Sequence, residues 1–366
     1  MIPVVSLPKG TKLTLPIIGL VLVAFFSYDA LLGGSFFRLL SGIGPDHTCI
    51  LRVEKWYSNY RLLSEQARSL RVQGRLSEAE SVMGQALALI EGHDDFIGQL
   101  AEDQMFMAEL IEEQSRDVEA EKYWREAKHN CEQSGEYFSL PLSNARASLG
   151  NNLYRQERKS EAKAELLEGI IGLRKAEDTS DLFAKACINL SDIHLGETDL
   201  VQARSLAEEA LTVEETNHGG HTCDHVAQAK HALANVYATA GHSMKAVMLY
   251  EECVPLMIAN NSANKIAAIT NAGMAYTDMH DFPRAIASMQ LAARLHSNNC
   301  IRRDAHDIYI QMCTVHVYMV SKQYRQAKSI IDSCMPAMKA TNDPYLAQAL
   351  SDLRVIKSQN RHSVTH

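Results

Sequence analysis

Residues Lys230 to Val254 read KHALANVYATAGHSMKAVMLYEECV, and this stretch decides the fold. One amphipathic helix ends near the short turn at Gly241, and a second opens with Ala246. Two further stretches repeat the layout: Ile269 to Ala293, ITNAGMAYTDMHDFPRAIASMQLAA, and Gln311 to Met335, QMCTVHVYMVSKQYRQAKSIIDSCM. Working outward, the opening alanine recurs seven times, as Ala79, Ala120, Ala162, Ala203, Ala246, Ala285 and Ala327. The intervals are 41, 42, 41, 43, 39 and 42 residues. Near-constant spacing of this length is the signature of a helical repeat array.

The spacing has a packing cause. Seven residues after each alanine stands another small residue: Ala86, Ala127, Gly169, Ala210, Cys253, Ala292 and Cys334. Twelve residues before it stand Ala67, Ala108, Gly150, Ser191, Ala234, Gly273 and Val315, six of them small. Small side chains at these points let two helix axes approach closely. Larger residues four places after the alanine, such as Met83, Trp124, Leu166, Tyr250, Met289 and Ile331, fill the gaps on the same face. Nine places before the alanine, Leu70, Ile111, Leu153, Tyr237, Tyr276 and Tyr318 share one first-helix position.

These residues resemble the tetratricopeptide repeat in its W-x2-L-G-x2-Y…A-x3-F form. Leu149-Gly150, Leu153, Ala162 and Leu166 follow it, as do Leu233-Ala234, Tyr237, Gly241, Ala246 and Tyr250. The interval, longer than the usual ~34 residues, resembles the variety found in kinesin light chains. Gly44-Pro45-Asp46-His47 and Gly219-Gly220-His221 look like that variety's G-x-x-H-P loop, with Thr in place of Pro. The second repeat departs most, with Ser115 and Asp117 where a Gly and an aromatic are usual. The resemblance covers residues 50 to 340 and implies an all-α chain. The expected architecture is a right-handed α-solenoid of about seven helix pairs plus a C-terminal capping helix, with one hydrophobic helix in front. Asp343-Pro344 suits the start of that capping helix, since Asp caps well and Pro tolerates the first helical position.

The same resemblance places a binding groove along the first helix of each pair. One row there holds Arg68, Glu109, Asn151, Asp192, Asn235, Met274 and His316, and a neighbouring row includes Asn189 and Asn271. In the family, Asn at these points hydrogen-bonds the backbone of an extended peptide, because an amide offers both donor and acceptor. Arg61, Arg68 and Arg71 make the first rung basic; Glu102, Glu109, Glu112 and Glu113 make the second acidic, and the two are expected to pair. The later rungs are nearly neutral, with Tyr309, Met312 and His316 among them. Weakly hydrated side chains concentrate interface energy. The expected partner-binding residues are therefore Asn151, Asn189, Asn235, Asn271, Met274, Tyr309, Met312 and His316, with a protein or peptide as partner.

A net charge of −8 argues against nucleic acid, whose phosphates require a surplus of Lys and Arg. Residues 13–32 open with LTLPIIGLVLVAFF and are long enough for a membrane anchor. Lys9 and Lys12 precede them, which places the repeats on the non-cytoplasmic side of a single-pass membrane protein. The domain expectation is a tail at 1–12, this anchor or signal segment, a linker at 33–50, the array at 51–358 and a disordered tail at 359–366. The alternative is a soluble exported chain after signal cleavage, with a metal-binding inter-repeat loop. His218-Gly219-Gly220-His221-Thr222-Cys223-Asp224-His225 crowds potential ligands together, but its spacing matches no established zinc motif. The resemblance gives His221 a loop role, so neither metal nor cofactor is assigned. No phosphate-binding, nucleophile-elbow, zinc-protease or dinucleotide motif occurs, and the expectation is a binding protein rather than an enzyme. No C-x-x-C pair occurs among the eight cysteines; Cys131 is expected near a connection, able to react or pair.

Overall fold

The computed structural model describes residues 55–135, 139–218, 223–297, 305–341 and 344–362. The apolar segment 13–32 and both G-x-x-H stretches lie outside them. Among the described residues no helix is long and apolar enough to cross a membrane.

The chain divides into two compact units, Met1–Ala176 and Glu177–His366. Unit 1 contains α1 (Lys55–Val72), α2 (Leu76–Ile90), α3 (Ile97–Glu113), α4 (Asp117–Gln133), α5 (Ser139–Arg155) and α6 (Lys159–Lys175). A single 3-10 turn, Asp94–Phe96, leads into α3. Unit 2 contains α7 (Asp181–Gly196), α8 (Leu200–Asn217), α9 (Asp224–Thr239), α10 (Ser243–Ala259), α11 (Lys265–Asp278), α12 (Phe282–Ser297), α13 (Ala305–Val320), α14 (Tyr324–Thr341) and α15 (Leu346–His362). Within each unit every helix packs against the next, the sequential packing of an α-solenoid. In unit 2 the first helices also touch one another: α7 meets α9, α9 meets α11, and α11 meets α13. Seven helix pairs and a closing helix are thus described, and α15 runs on to His362.

The turn inside each pair is one motif used seven times. Gly74, Ser115, Glu157, Thr198, Gly241, His280 and Lys322 have φ of +60° to +75°. Each stands five residues before a repeated alanine. The next residue's N–H then bonds back across the turn: Arg75 to the Leu70 carbonyl, Arg116 to Ile111, Arg158 to Leu153, Asp199 to His194, His242 to Tyr237, Asp281 to Tyr276 and Gln323 to Tyr318, at 2.8 to 3.2 Å. This left-handed closure satisfies a carbonyl that the ending helix would otherwise leave unpaired. Ser115 therefore occupies the glycine place of the motif rather than breaking it.

The small residues sit where the helix axes cross. All seven repeated alanines are 0% exposed. Their large partners, Met83, Trp124, Leu166, Tyr250, Met289 and Ile331, are at most 2% exposed. A Cβ on Gly150 would come within 2.6 Å of the Leu166 side chain, and one on Gly169 within 2.7 Å of the Ala147 backbone nitrogen. At the fourth crossing, Ser191 donates its hydroxyl to the carbonyl of Ala203 at 2.7 Å. Cys131 lies inside α4 and is buried, and desolvation pushes its thiol up to about 12, so the expectation of a reactive connecting cysteine is not met.

Candidate functional site

The expected pairing of the first two rungs exists in unit 1, with different partners in detail. Arg71 bridges Glu109 and Glu113 at 2.5 and 2.6 Å. Arg68 instead reaches Asp103 at 2.8 Å and lies over the Phe106 ring at 4.5 Å. Asp103 is buried and also accepts from Tyr60 Oη at 2.7 Å and Ser64 Oγ at 3.1 Å. A buried carboxylate needs this many donors to offset its lost hydration. Arg61 pairs along its own helix with Glu65. Glu112 turns toward the neighbouring pair and receives Trp124 Nε1, Asn152 Nδ2 and Arg155 at 2.6 to 2.8 Å. Apart from the Arg61–Glu65 pair along α1, these charges are committed to holding helices together.

Asn151 is 3% exposed, so it does not face an open groove. Asn152 beside it is enclosed too, donating to Glu112 Oε1 and to the Asp117 carbonyl of the preceding helix pair. Met312 is likewise buried, packed with Ile308, Val315 and Ile331 in the core beneath α15. Thr270 and Thr277 spend their hydroxyls on carbonyls of their own helix. Asn189, Met274 and Tyr309 are half-buried, and His316 is exposed.

In unit 2 the structure brings Asn235 and Asn271 together. They lie on adjacent first helices, α9 and α11, and Asn271 Nδ2 donates to Asn235 Oδ1 at 3.0 Å. The same oxygen accepts from Tyr250 Oη at 2.7 Å. Both lone pairs of that carbonyl are then used. The NH2 of Asn235, and the carbonyl and second N–H of Asn271, stay available to a ligand. Both residues are half-buried, which leaves them reachable. The pair therefore presents a donor beside an acceptor, the complement of a peptide unit. Nearby, Tyr237 and Tyr276 bond Glu208 and Glu251 at 3.4 and 2.9 Å.

A second convergence in this unit joins two histidines of the loop sequence to two carboxylates that the sequence reading did not name. His218 and His225 meet the helical carboxylates Asp181 and Glu214, whose ligand atoms all lie within 4.8 Å of one another. Glu214 and His218 stand four residues apart, one turn of helix, which was the available signal; nothing in the sequence brings Asp181 to them.

No protein-family model matches the chain, and no curated protein matches it. Solved structures are similar in fold. A Rap protein complexed with Competence and Sporulation Factor is 14% identical, with 80% of each chain covered and a TM-score of 0.56. A STAND protein with a tetratricopeptide repeat sensor, from Pyrococcus horikoshii, is 16% identical over 84% of this chain and 48% of its own, with a TM-score of 0.54. The nearly identical TPR-like repeats of a kinesin light chain-like protein from Podosopora anserina are 15% identical over 55% of this chain and 96% of theirs, at a TM-score of 0.43. The fold is that of the tetratricopeptide-repeat proteins. Repeats of the kinesin light chain type are among its structural neighbours.

Proposed function

We propose that this chain is a protein-interaction scaffold that holds an extended segment of a partner protein along the first helices of unit 2. The observation that carries the reading is the Asn235–Asn271 pair, which offers the amide N–H groups of Asn235 beside the amide carbonyl of Asn271 on α9 and α11. Met274 and His316 continue the row of Asn235 and supply side-chain contacts, while charges of the first two rungs in unit 1 are spent internally. A Rap protein of like fold is complexed with Competence and Sporulation Factor, a binding precedent for this architecture. The apolar segment 13–32 would hold the scaffold at a membrane, with the repeats on the non-cytoplasmic side.

The test is selection of a displayed peptide library on the protein, followed by affinity measurements. Asn235→Asp keeps an oxygen for Tyr250 and Asn271 but replaces the free donor with an acceptor. It should weaken selected peptides by roughly tenfold, the worth of about one hydrogen bond. Peptides that bind equally well to Asn235→Asp and Asn271→Ala proteins would move the site elsewhere. Carbonate extraction of cells tests the anchor: the full-length chain should stay with the membrane.

A further inference from the structure

We propose that Asp181, Glu214, His218 and His225 form a tetrahedral binding site for a divalent transition ion, zinc above all, which pins three helices together. Asp181 is the first residue of α7, Glu214 lies in the last turn of α8 with His218 just after it, and His225 is the second residue of α9. Ordinary local structure sets each one. Ser180 caps α7 by accepting from the Phe183 N–H, and Cys223 caps α9 by accepting from the Val226 N–H. Asn217 Nδ2 donates to the Thr179 carbonyl at 2.5 Å, tying the end of α8 to the approach to α7.

The distances carry the argument. His218 Nε2 lies 3.2 Å from Asp181 Oδ1 and 3.3 Å from Glu214 Oε2. His225 Nδ1 lies 3.2 Å from Asp181 Oδ2 and 3.8 Å from Glu214 Oε2. The two ring nitrogens face each other at 3.3 Å. Ligand bonds of about 2.0–2.1 Å to tetrahedral zinc put neighbouring ligand atoms about 3.3 Å apart. Asp181 meets the two rings with different oxygens and all four ligand atoms lie within 4.8 Å of one another, so small side-chain rotations would close the set to that tetrahedron.

An independent observation points to a cation as the ligand. The Glu214 side chain is 3% exposed, and its buried Oε2 has no hydrogen-bond partner although it is aimed between both imidazoles. Among the described residues no Lys or Arg pairs with Glu214 or Asp181. Two imidazoles and two carboxylates suit zinc and its first-row neighbours better than magnesium or calcium, which prefer oxygen alone. Four protein ligands fill the coordination shell, so the site is structural rather than catalytic. Asp181 and His225 remain about half-exposed, at 47% each, and give the ion a way in. Of the loop sequence only His218 and His225 belong to the set, which takes its carboxylates from α7 and α8 and does not include Cys223.

The test uses the untagged full chain, stripped with chelator and titrated with zinc chloride, with magnesium and calcium as controls. One equivalent of zinc should bind and raise the melting temperature, and the two controls should not. His218→Ala and His225→Ala should each weaken binding by about 100-fold or more, since even supporting residues around a metal often cost that much. Glu214→Gln should weaken it too, and Cys223→Ser should leave it unchanged. Circular dichroism checks that each variant keeps its helices. A folded wild type that takes up no stoichiometric zinc overturns the proposal. So does uptake that survives the double His218→Ala/His225→Ala change, or that depends on Cys223.

Discussion

Asn271 donates its side-chain N–H to the carbonyl of Asn235 at 3.0 Å, so two asparagines 36 residues apart share one hydrogen bond across neighbouring repeats. That bond changes how their roles are tested. Asn235 Oδ1 also receives the hydroxyl of Tyr250, a side chain 1% exposed. The Asn235 amide, proposed to meet a partner, is therefore also a structural acceptor for a buried donor.

Truncating Asn235 should consequently destabilise the protein as well as weaken binding. Asn235→Ala leaves the Tyr250 hydroxyl buried and unpaired, at a cost of about 1–3 kcal/mol. In a Tyr250→Phe background the same truncation should cost much less, because no donor is stranded. Denaturant melts of the four proteins in this cycle measure the difference. Equal costs in both backgrounds would remove the structural role assigned to the bond.

The close helix crossings predict opposite signs for one substitution at two glycines. Alanine normally gains up to about 1 kcal/mol over glycine inside a helix. At Gly169 the new Cβ would sit 2.7 Å from the backbone nitrogen of Ala147, which cannot move aside alone. Overpacking of this kind costs about 1–3 kcal/mol, so Gly169→Ala should lower the melting temperature. At Gly196 nothing lies within 4 Å of a Cβ, and Gly196→Ala should hold or raise it. Thermal melts of both variants decide whether the small residues serve close approach.

The seven left-handed turns predict a second pair of opposite effects. Thr198 is β-branched and has φ of 65°, where such residues are strained. Thr198→Gly should stabilise by about 1 kcal/mol. Gly241 has φ of 75° with open space around it, so only the backbone penalises a replacement there. Gly241→Thr should cost about 1–2 kcal/mol. Chemical denaturation is the measurement, and equal stabilities would remove the conformational argument.

These cases also show what the sequence could and could not reveal. The helix pairs, the repeated alanine and the buried small residues follow from spacing, because packing repeats wherever the fold repeats. The turn was harder to read, since only Gly74 and Gly241 advertise a positive φ while Thr198 and Lys322 adopt it under the tertiary geometry. Asn151 and Met312 occupy positions that the repeat pattern assigns to the groove, yet local packing buries them. The Glu112 cluster and the His218–His225 convergence depend on which rotamers meet across helices, and spacing along one chain does not encode that.

The buried His231 ring predicts an acid-sensitive component of stability. Its Nε2 is enclosed without a hydrogen-bond partner on α9, although the residue as a whole is only half-buried. Desolvation pushes its pKa down to about 4, and the opposing attraction of Asp192 does not restore it. The unfolded chain titrates near the ordinary value of about 6.5. Above that pH the ring is neutral in both states and contributes no pH dependence. Between about 6.5 and about 4 the unfolded chain binds a proton that the folded chain refuses, so stability falls as the solution is acidified. Below the folded value both states carry the proton and the loss is complete, at most about 3 kcal/mol for a displacement of this size. His231→Leu keeps an apolar side chain of similar bulk and removes the proton site. Its stability at neutral pH should stay close to that of the wild type. Its advantage should grow as the pH drops from 6.5 to 4, with other titrating groups common to both proteins cancelling in the comparison. Urea melts of the two proteins across that range measure the widening gap, and parallel curves would show that His231 titrates freely in the fold.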